Sequence, residues 1–313
     1  MMNSISDDII EQIHNHGLRA KLISINHFEK IKQEYEKVQK NNPFVTKYLG
    51  SYFEEFNYDP SSIMTNPQSL LIVAVPDIIT RMYFNLNGKK HTVLMPPMYL
   101  FNSSVKNEKN IEKITEINDL LEKILSPYSL ESNKINLPAK LLAVKSGLGV
   151  YGKNNICYVE DLGSFMWLGV YLTDIPCDKD VWLDYSTMDI CEDCDLCSHN
   201  CPTNAINSDA FVIQASKCIT YHNESEKTFP SWIDKNKNNA IIGCLRCQIV
   251  CPANKEHIKN IKDLATFEDY ETKQILDGTP LQNLNESTIK KIKSINFIEY
   301  YNLLTRNLKL LIK

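Results

Sequence analysis

The stretch CEDCDLCSHNCP places four cysteines between Cys191 and Cys201, with Pro202 directly after the last. No hydrophobic pattern explains such a run, because four thiols this close leave little room for core-forming side chains. A shorter run follows it, Cys244-x2-Cys247-x3-Cys251-Pro252, and Cys218 stands alone between the two in QASKCITY. Eight of the ten cysteines therefore fall between 191 and 251. A chain segment of this kind has to fold around something the thiols hold in common.

Disulfides are the first possibility. The N-terminus, MMNSISDDIIEQIHNHG, is polar and acidic, without a basic start or an apolar core, and reads as no signal peptide. A cytoplasmic, reducing setting is therefore expected, and there C-x-x-C spacings point to metal or cluster ligation. The first run has the spacing by which bacterial two-cluster ferredoxins hold [4Fe–4S] cubes, the fourth cysteine reaching across to the other cube. By that logic Cys191, Cys194, Cys197 and Cys251 hold one cluster. Cys201, Cys218, Cys244 and Cys247 hold the other. The rival is a pair of zinc sites, since zinc also takes four thiolates and favours C-x2-C pairs. Cys157 and Cys177 fall outside the pattern and read as small buried hydrophobes.

The 180 residues at the N-terminal end read as helices and strands in alternation. DDIIEQIHNHG is helical, with acidic residues in its first turn and a stop at Gly17. LRAKLISI, SLLIVAVP (69–76), NNICYVE and SFMWLGVYL read as strands, SLLIVAVP as a buried one. HFEKIKQEYEKVQKN, NIEKITEINDLLEKIL and LPAKLLAVKSG read as helices. Asn87-Gly88 between two β-prone runs predicts a hairpin. From about 178 the chain turns acidic, with Asp178, Asp180, Asp184, Asp189, Glu192, Asp193 and Asp195 against only Lys179. This charge would lower the potential of a nearby cluster unless solvent screens it. The tail, NESTIKKIKSINFIEYYNLLTRNLKLLIK, reads as amphipathic helices docked on the core. The expected organisation is an α+β domain over 1–180, a double [4Fe–4S] ferredoxin-like domain over 181–262 and a C-terminal helical segment over 263–313. The longest apolar runs are too short to span a bilayer, so no membrane partner is expected.

With these motifs in view, the chain resembles the epoxyqueuosine reductase family. The matching residues are KSGLGVYGKNNICY (145–158), GSFMWLGVYLTDIP (163–176), the first cysteine run, KCITY (217–221) and GCLRCQIVCPANK (243–255). The resemblance implies a nitroreductase-like sheet with helices in the catalytic domain, and a base-off cobalamin close to the second cluster. It also implies an external low-potential electron donor. By position, Cys157, Leu168, Thr220, Leu245 and Arg246 would line the corrin, with Lys153 and Asn154 beside it. His222, after CITY, is a further candidate to approach the corrin or a cluster, whereas His199 reads as a surface residue. GLGVYG follows a helix, so it is no dinucleotide fingerprint.

The sequence departs from the family at two places. Asn133 stands where the family carries an aspartate taken as proton donor, and an amide cannot donate as a carboxylic acid does. Glu131 and Tyr99 are the conceivable substitutes. The family's basic segment is replaced by LMPPMYLFNSSVKN (94–107), without arginine or histidine. That loss, with a net charge of −4, weighs against a tRNA substrate and leaves a small molecule or a modified nucleoside. Two functions are expected from the residues: a cobalamin-dependent two-cluster reductase, or a ferredoxin-like electron-transfer protein whose N-terminal domain is non-catalytic.

Overall fold

The computed structural model describes residues 4–41, 55–97, 99, 108–207 and 212–312. The expected helix at the N-terminal end is α1 (Ile5–Asn15), capped by Ser4, whose hydroxyl accepts from the Asp7 amide. It leads into β1 (Arg19–Ser24) and α2 (Phe28–Asn41). SLLIVAVP is β2 (Ser69–Pro76), followed by β3 (Ile79–Leu86) and β4 (Lys89–Met95). Then come α3 (Glu108–Leu125), the short β5 (Ser132–Lys134), α4 (Ala139–Lys145), β6 (Gly149–Tyr151), β7 (Cys157–Val159) and β8 (Met166–Thr173).

The central sheet is antiparallel, in the order β1-β2-β8-β5. Its pleat explains why β2 is apolar throughout. Leu70, Ile72 and Ala74 face one core with Phe28 and Ile31 of α2 and Leu142 of α4. Leu71, Val73 and Val75 face another, with Ile9 and Ile13 of α1 and Ile117, Leu121 and Ile124 of α3. Both faces are covered, so an alternating polar pattern would place polar groups in a core.

The hairpin predicted at Asn87-Gly88 forms, with both residues at positive φ, 50° and 77°, as a tight two-residue turn requires. The hairpin stands apart from the central sheet. Its partner is β9 (Ile261–Phe267), parallel to β3 from Ile79↔Ile261 to Phe84↔Phe267. The boundary expected between 262 and 263 thus falls inside a strand. Three helices follow, α8 (Asp269–Asp277), α9 (Glu286–Ser294) and α10 (Tyr301–Leu311), packed on the hairpin sheet through Ile275, Ile292 and Leu304 against Met82, Phe84 and Phe267. Glu271 of α8 is fully buried there and receives Lys291 Nζ at 2.5 Å and Thr288 Oγ1 at 3.0 Å. Burial opposes its ionisation, but these bonds and the Glu268 amide outweigh it and hold the carboxyl below the usual range.

The cysteine-rich region lies between β8 and β9 in the chain. It holds three short helices, α5 (Leu196–His199), α6 (Ile219–Asn223) and α7 (Arg246–Ile249). The acidic segment leading into it is tied back to the first domain. The Leu183 amide donates to Lys145 O at 2.9 Å, Trp182 stacks on His27 at 4.7 Å, and Asp180 accepts from the Ser24 amide at 2.9 Å. Asp189, Glu192 and Asp193 stay exposed.

Candidate metal centre

Each cysteine run closes the same way. A loop delivers a thiol, a one-turn helix carries the next, and a last thiol precedes proline. Pro202 and Pro252 lack the amide that would continue the turn. Helices α5 and α7 face each other, and Asn200 Nδ2 donates to Arg246 O at 2.7 Å between the runs.

The thiols gather into two sets. Cys191, Cys194, Cys197 and Cys251 line one gap, together with Lys153, Asn154, Tyr158 and Leu196. The Cys197 thiol is pushed up to about 11, by burial first and then by Cys191, Cys251 and Cys194. Around the other centre, Cys218 is raised by burial and by Cys201. Cys244 is raised to about 11 by burial and by Cys218 and Cys201. Cys247 is raised well above the usual thiol range by burial, and then by Cys244, Cys218, Cys197 and Cys201. The Cys201 thiol goes the other way: burial opposes its ionisation, but bonds from Thr203, Ala205 and Ile206 outweigh it and lower its thiol. A bound cation favours the thiolate throughout. Cys251 thus lies with the thiols of the first run, and α5, which carries Cys197, packs against α7, which carries Cys247. Among the described residues no three His, Cys, Asp or Glu side chains are close enough to share a single metal ion. The first set surrounds a gap, which suits a ligand with several metal corners.

Backbone groups aim at these sulfurs. The Lys153 amide donates to Cys191 Sγ at 3.5 Å and the Ala205 amide to Cys201 Sγ at 3.3 Å. Such bonds tune a cluster's potential. Lys153 Nζ pairs with Asp195 at 2.7 Å, and Asn154 Nδ2 donates to Tyr158 Oη at 2.9 Å. Lys153 and Asn154, expected beside a corrin, line the first thiol set. The reason is local: Met188 N donates to Tyr151 O at 2.8 Å, so the chain entering Cys191 runs alongside β6 and the Gly152–Asn155 turn.

The Gly-Ser of GSFMWLG also acquires a purpose. The Ser164 amide donates to Asn254 Oδ1 at 2.9 Å, while Asn254 Nδ2 returns to Ser164 Oγ at 2.8 Å. Gly163 has φ 59°, and a Cβ there would lie 2.4 Å from Asn254 Oδ1. The motif is the seam between the sheet domain and the end of the second cysteine run.

The remaining expected residues are scattered. Cys157 is buried in β7, its thiol pushed up to about 12 by burial. Leu245 is fully buried against Ile79 and Phe165. Leu168, Thr220 and Arg246 keep partial exposure, and Arg246 Nε donates to Lys237 O at 2.6 Å. Asn133 lies on β5, paired with Leu172, and exposed Glu131 bonds through its amide to Asp174. His199 is exposed and bonds to Asp195 O, and His222 bonds to Ser216 O at 2.7 Å. Cys177 is half-buried, its thiol up at about 11 through burial and then Asp180 and Asp178. Of the segment 94–107, expected to help shape a substrate pocket, residue 98 and residues 100–107 lie outside the described residues.

One acid escaped the sequence reading. Tyr99 Oη donates to the Glu224 carboxylate, and the Tyr99 ring packs where Gly243, the residue before Cys244, would carry a Cβ. Glu224 is exposed, yet the groups crowded around its carboxyl lift it to about 7. A lone glutamate six residues after Cys218 carries no sequence signal of this.

Residues 190–254 match the family described as the 4Fe-4S double cluster binding domain. The chain thus carries a double-cluster iron–sulfur module. Over 164 residues it is 34% identical to an epoxyqueuosine reductase of Atelocyanobacterium thalassa (isolate ALOHA), covering 49% of this chain and 52% of that protein. It is 34% identical over 144 residues to that of Escherichia coli (strain K12), covering 46% of this chain and 35% of the relative. A solved epoxyqueuosine reductase from Streptococcus thermophilus has the same fold, with a TM-score of 0.64 at 18% identity, covering 98% of this chain and 80% of that one. These likenesses support its place in an epoxyqueuosine reductase-like family. The matched region spans about half the length of such curated relatives, or less. Among the described residues no helix is long and apolar enough to cross a membrane.

Proposed function

We propose that the chain is a cobalamin-dependent, two-cluster iron–sulfur reductase acting on a small molecule or a modified nucleoside. Cys191, Cys194, Cys197 and Cys251 are the ligands of the first [4Fe–4S] cluster in this reading. Cys201, Cys218, Cys244 and Cys247 are those of the second. The observation that carries it is the gathering of Cys191, Cys194, Cys197 and Cys251 around one gap, with α5, carrying Cys197, packed against α7, carrying Cys247, which suits a relay between centres. When bound, the clusters supply single-electron carriage from an external low-potential donor, and cobalamin supplies the centre for reducing an organic substrate.

The carried-over residues fit a corrin in part. Leu168, Thr220 and Arg246 offer accessible surface to it, whereas Cys157 and Leu245 are sealed by their own neighbours. Asn133 has no acidic proton to give. Glu224, hydrogen-bonded to Tyr99 near Cys218 and Cys244, is the acid this reading favours in its place.

The sealed Cys157 and Leu245, with Asn133, favour a second reading, an electron-transfer protein whose N-terminal domain is non-catalytic. Titration of the anaerobically reconstituted protein with cobalamin separates the two. Micromolar binding with a base-off spectrum is expected of the reductase. No spectral change at that concentration removes it and leaves the relay. One relative of the same fold was solved with an epoxyqueuosine-modified tRNA stem loop, at 19% identity to this chain. Supplying such a tRNA with a low-potential reductant tests that substrate here, and unchanged nucleoside excludes it.

A further inference from the structure

We propose that Arg306 and Asn307, on the last helix, are positioning residues for the second cluster: they clamp together the two loops that deliver its thiols. The inference rests on the ligand sets proposed above and goes beyond them, because no part of a thiol-ligand pattern calls for a helix some 90 residues after Cys218.

The geometry is specific. Arg306 is half-buried, and its guanidinium donates to four backbone carbonyls in the segment after Cys218. Nη2 reaches His222 O at 3.2 Å and Asn223 O at 3.0 Å, and Nη1 reaches Ser225 O and Lys227 O. Asn307 is fully buried and joins that segment to the other loop. Its Nδ2 donates to Asn223 O at 2.8 Å and to Ile241 O at 2.7 Å, while its Oδ1 accepts from Arg306 Nη2 at 2.8 Å. Asn223 completes the stitch by donating from Nδ2 to Gly243 O, one residue before Cys244. One turn on, Leu310 closes an apolar contact with Ile219, Phe229 and Ile233, against which Cys244 packs.

These carbonyls belong to the last turn of α6 and to the irregular backbone after it, where no intrahelical or ladder donor satisfies them. Buried carbonyls without donors cost about 1–3 kcal/mol each. A guanidinium serves several of them at once because its donors form a rigid fork. The loops bearing Cys218 and Cys244 thus depend on α10 for their conformation. No such bond runs from α10 to the loops of Cys191, Cys194 and Cys251 among the described residues. Loss of the clamp should therefore fall on the second cluster alone.

The test compares wild type, Arg306→Ala and the milder Arg306→Lys, each full-length and reconstituted anaerobically, by iron and sulfide content and by electron paramagnetic resonance after dithionite reduction. Wild type should hold about eight irons, with spin coupling between two reduced clusters. Arg306→Ala should fall toward about four irons per chain and lose the coupling, keeping an isolated [4Fe–4S] signal. Arg306→Lys, which keeps the charge and loses the fork, should lie between. Should the alanine variant fail to fold, the lysine variant decides. Full iron with intact coupling in the folded variants overturns the proposal, as does equal loss of both clusters. A wild type without iron contradicts the ligand reading itself, a separate outcome read before the variants.

Discussion

Replacing Cys218 by alanine is expected to halve the iron, from about eight toward about four per chain, since each cube holds four irons. The surviving cluster should be the one held by Cys191, Cys194, Cys197 and Cys251, because the thiols electrostatically coupled to Cys218 are those of the other set. Cys157→Ala supplies the comparison. Cys157 is the more buried of the two, packs in the β7 core, and has Lys140 as its one charged influence. Its loss should leave the iron unchanged. Iron and acid-labile sulfide assays with reduced-state spectra check both variants. Full iron in Cys218→Ala, or halved iron in Cys157→Ala, would mean the ligand sets are wrongly drawn.

Gly163→Ala carries the second large effect, on stability. The residue sits at φ 59°, and its added Cβ would meet Asn254 Oδ1 at 2.4 Å and His257 at 2.8 Å. A left-handed alanine costs about 1 kcal/mol. Displacing Asn254 also breaks its bonds to Ser164, buried polar contacts worth about 1–3 kcal/mol. The total expected is about 3 kcal/mol, read as a lowered denaturant midpoint. Gly17→Ala isolates the backbone term: φ is 79°, but nothing lies within 4 Å of the new Cβ, so about 1 kcal/mol is expected. If the two variants unfold alike, the seam at Asn254 contributes nothing.

Much of this architecture could be read from local pattern. Helix α1 announces itself through Asp7, Asp8 and Gly17, and the hairpin through Asn87-Gly88, because caps and turns are decided by neighbouring residues. The iron–sulfur module is legible from spacing and a count of eight thiols. What was not legible depends on distant partners. IKDLATF becomes β9 through its pairing with β3, some 180 residues earlier. That Lys153 and Asn154 line the first thiol set follows from the pairing of Tyr151 with Met188, which no local pattern marks. Gly163 and Ser164 were visible as a motif, but their reason lies in Asn254. Arg306 and Asn307 address backbone carbonyls, which every residue carries, so no sequence pattern marks them.

The account turns on eight thiols caging two iron–sulfur clusters. Metal analysis with Mössbauer spectroscopy of the iron-57-labelled protein, purified without oxygen, tests that most directly. About eight irons, eight sulfides and the signature of [4Fe–4S] clusters are predicted. Colourless protein carrying zinc in their place would contradict it.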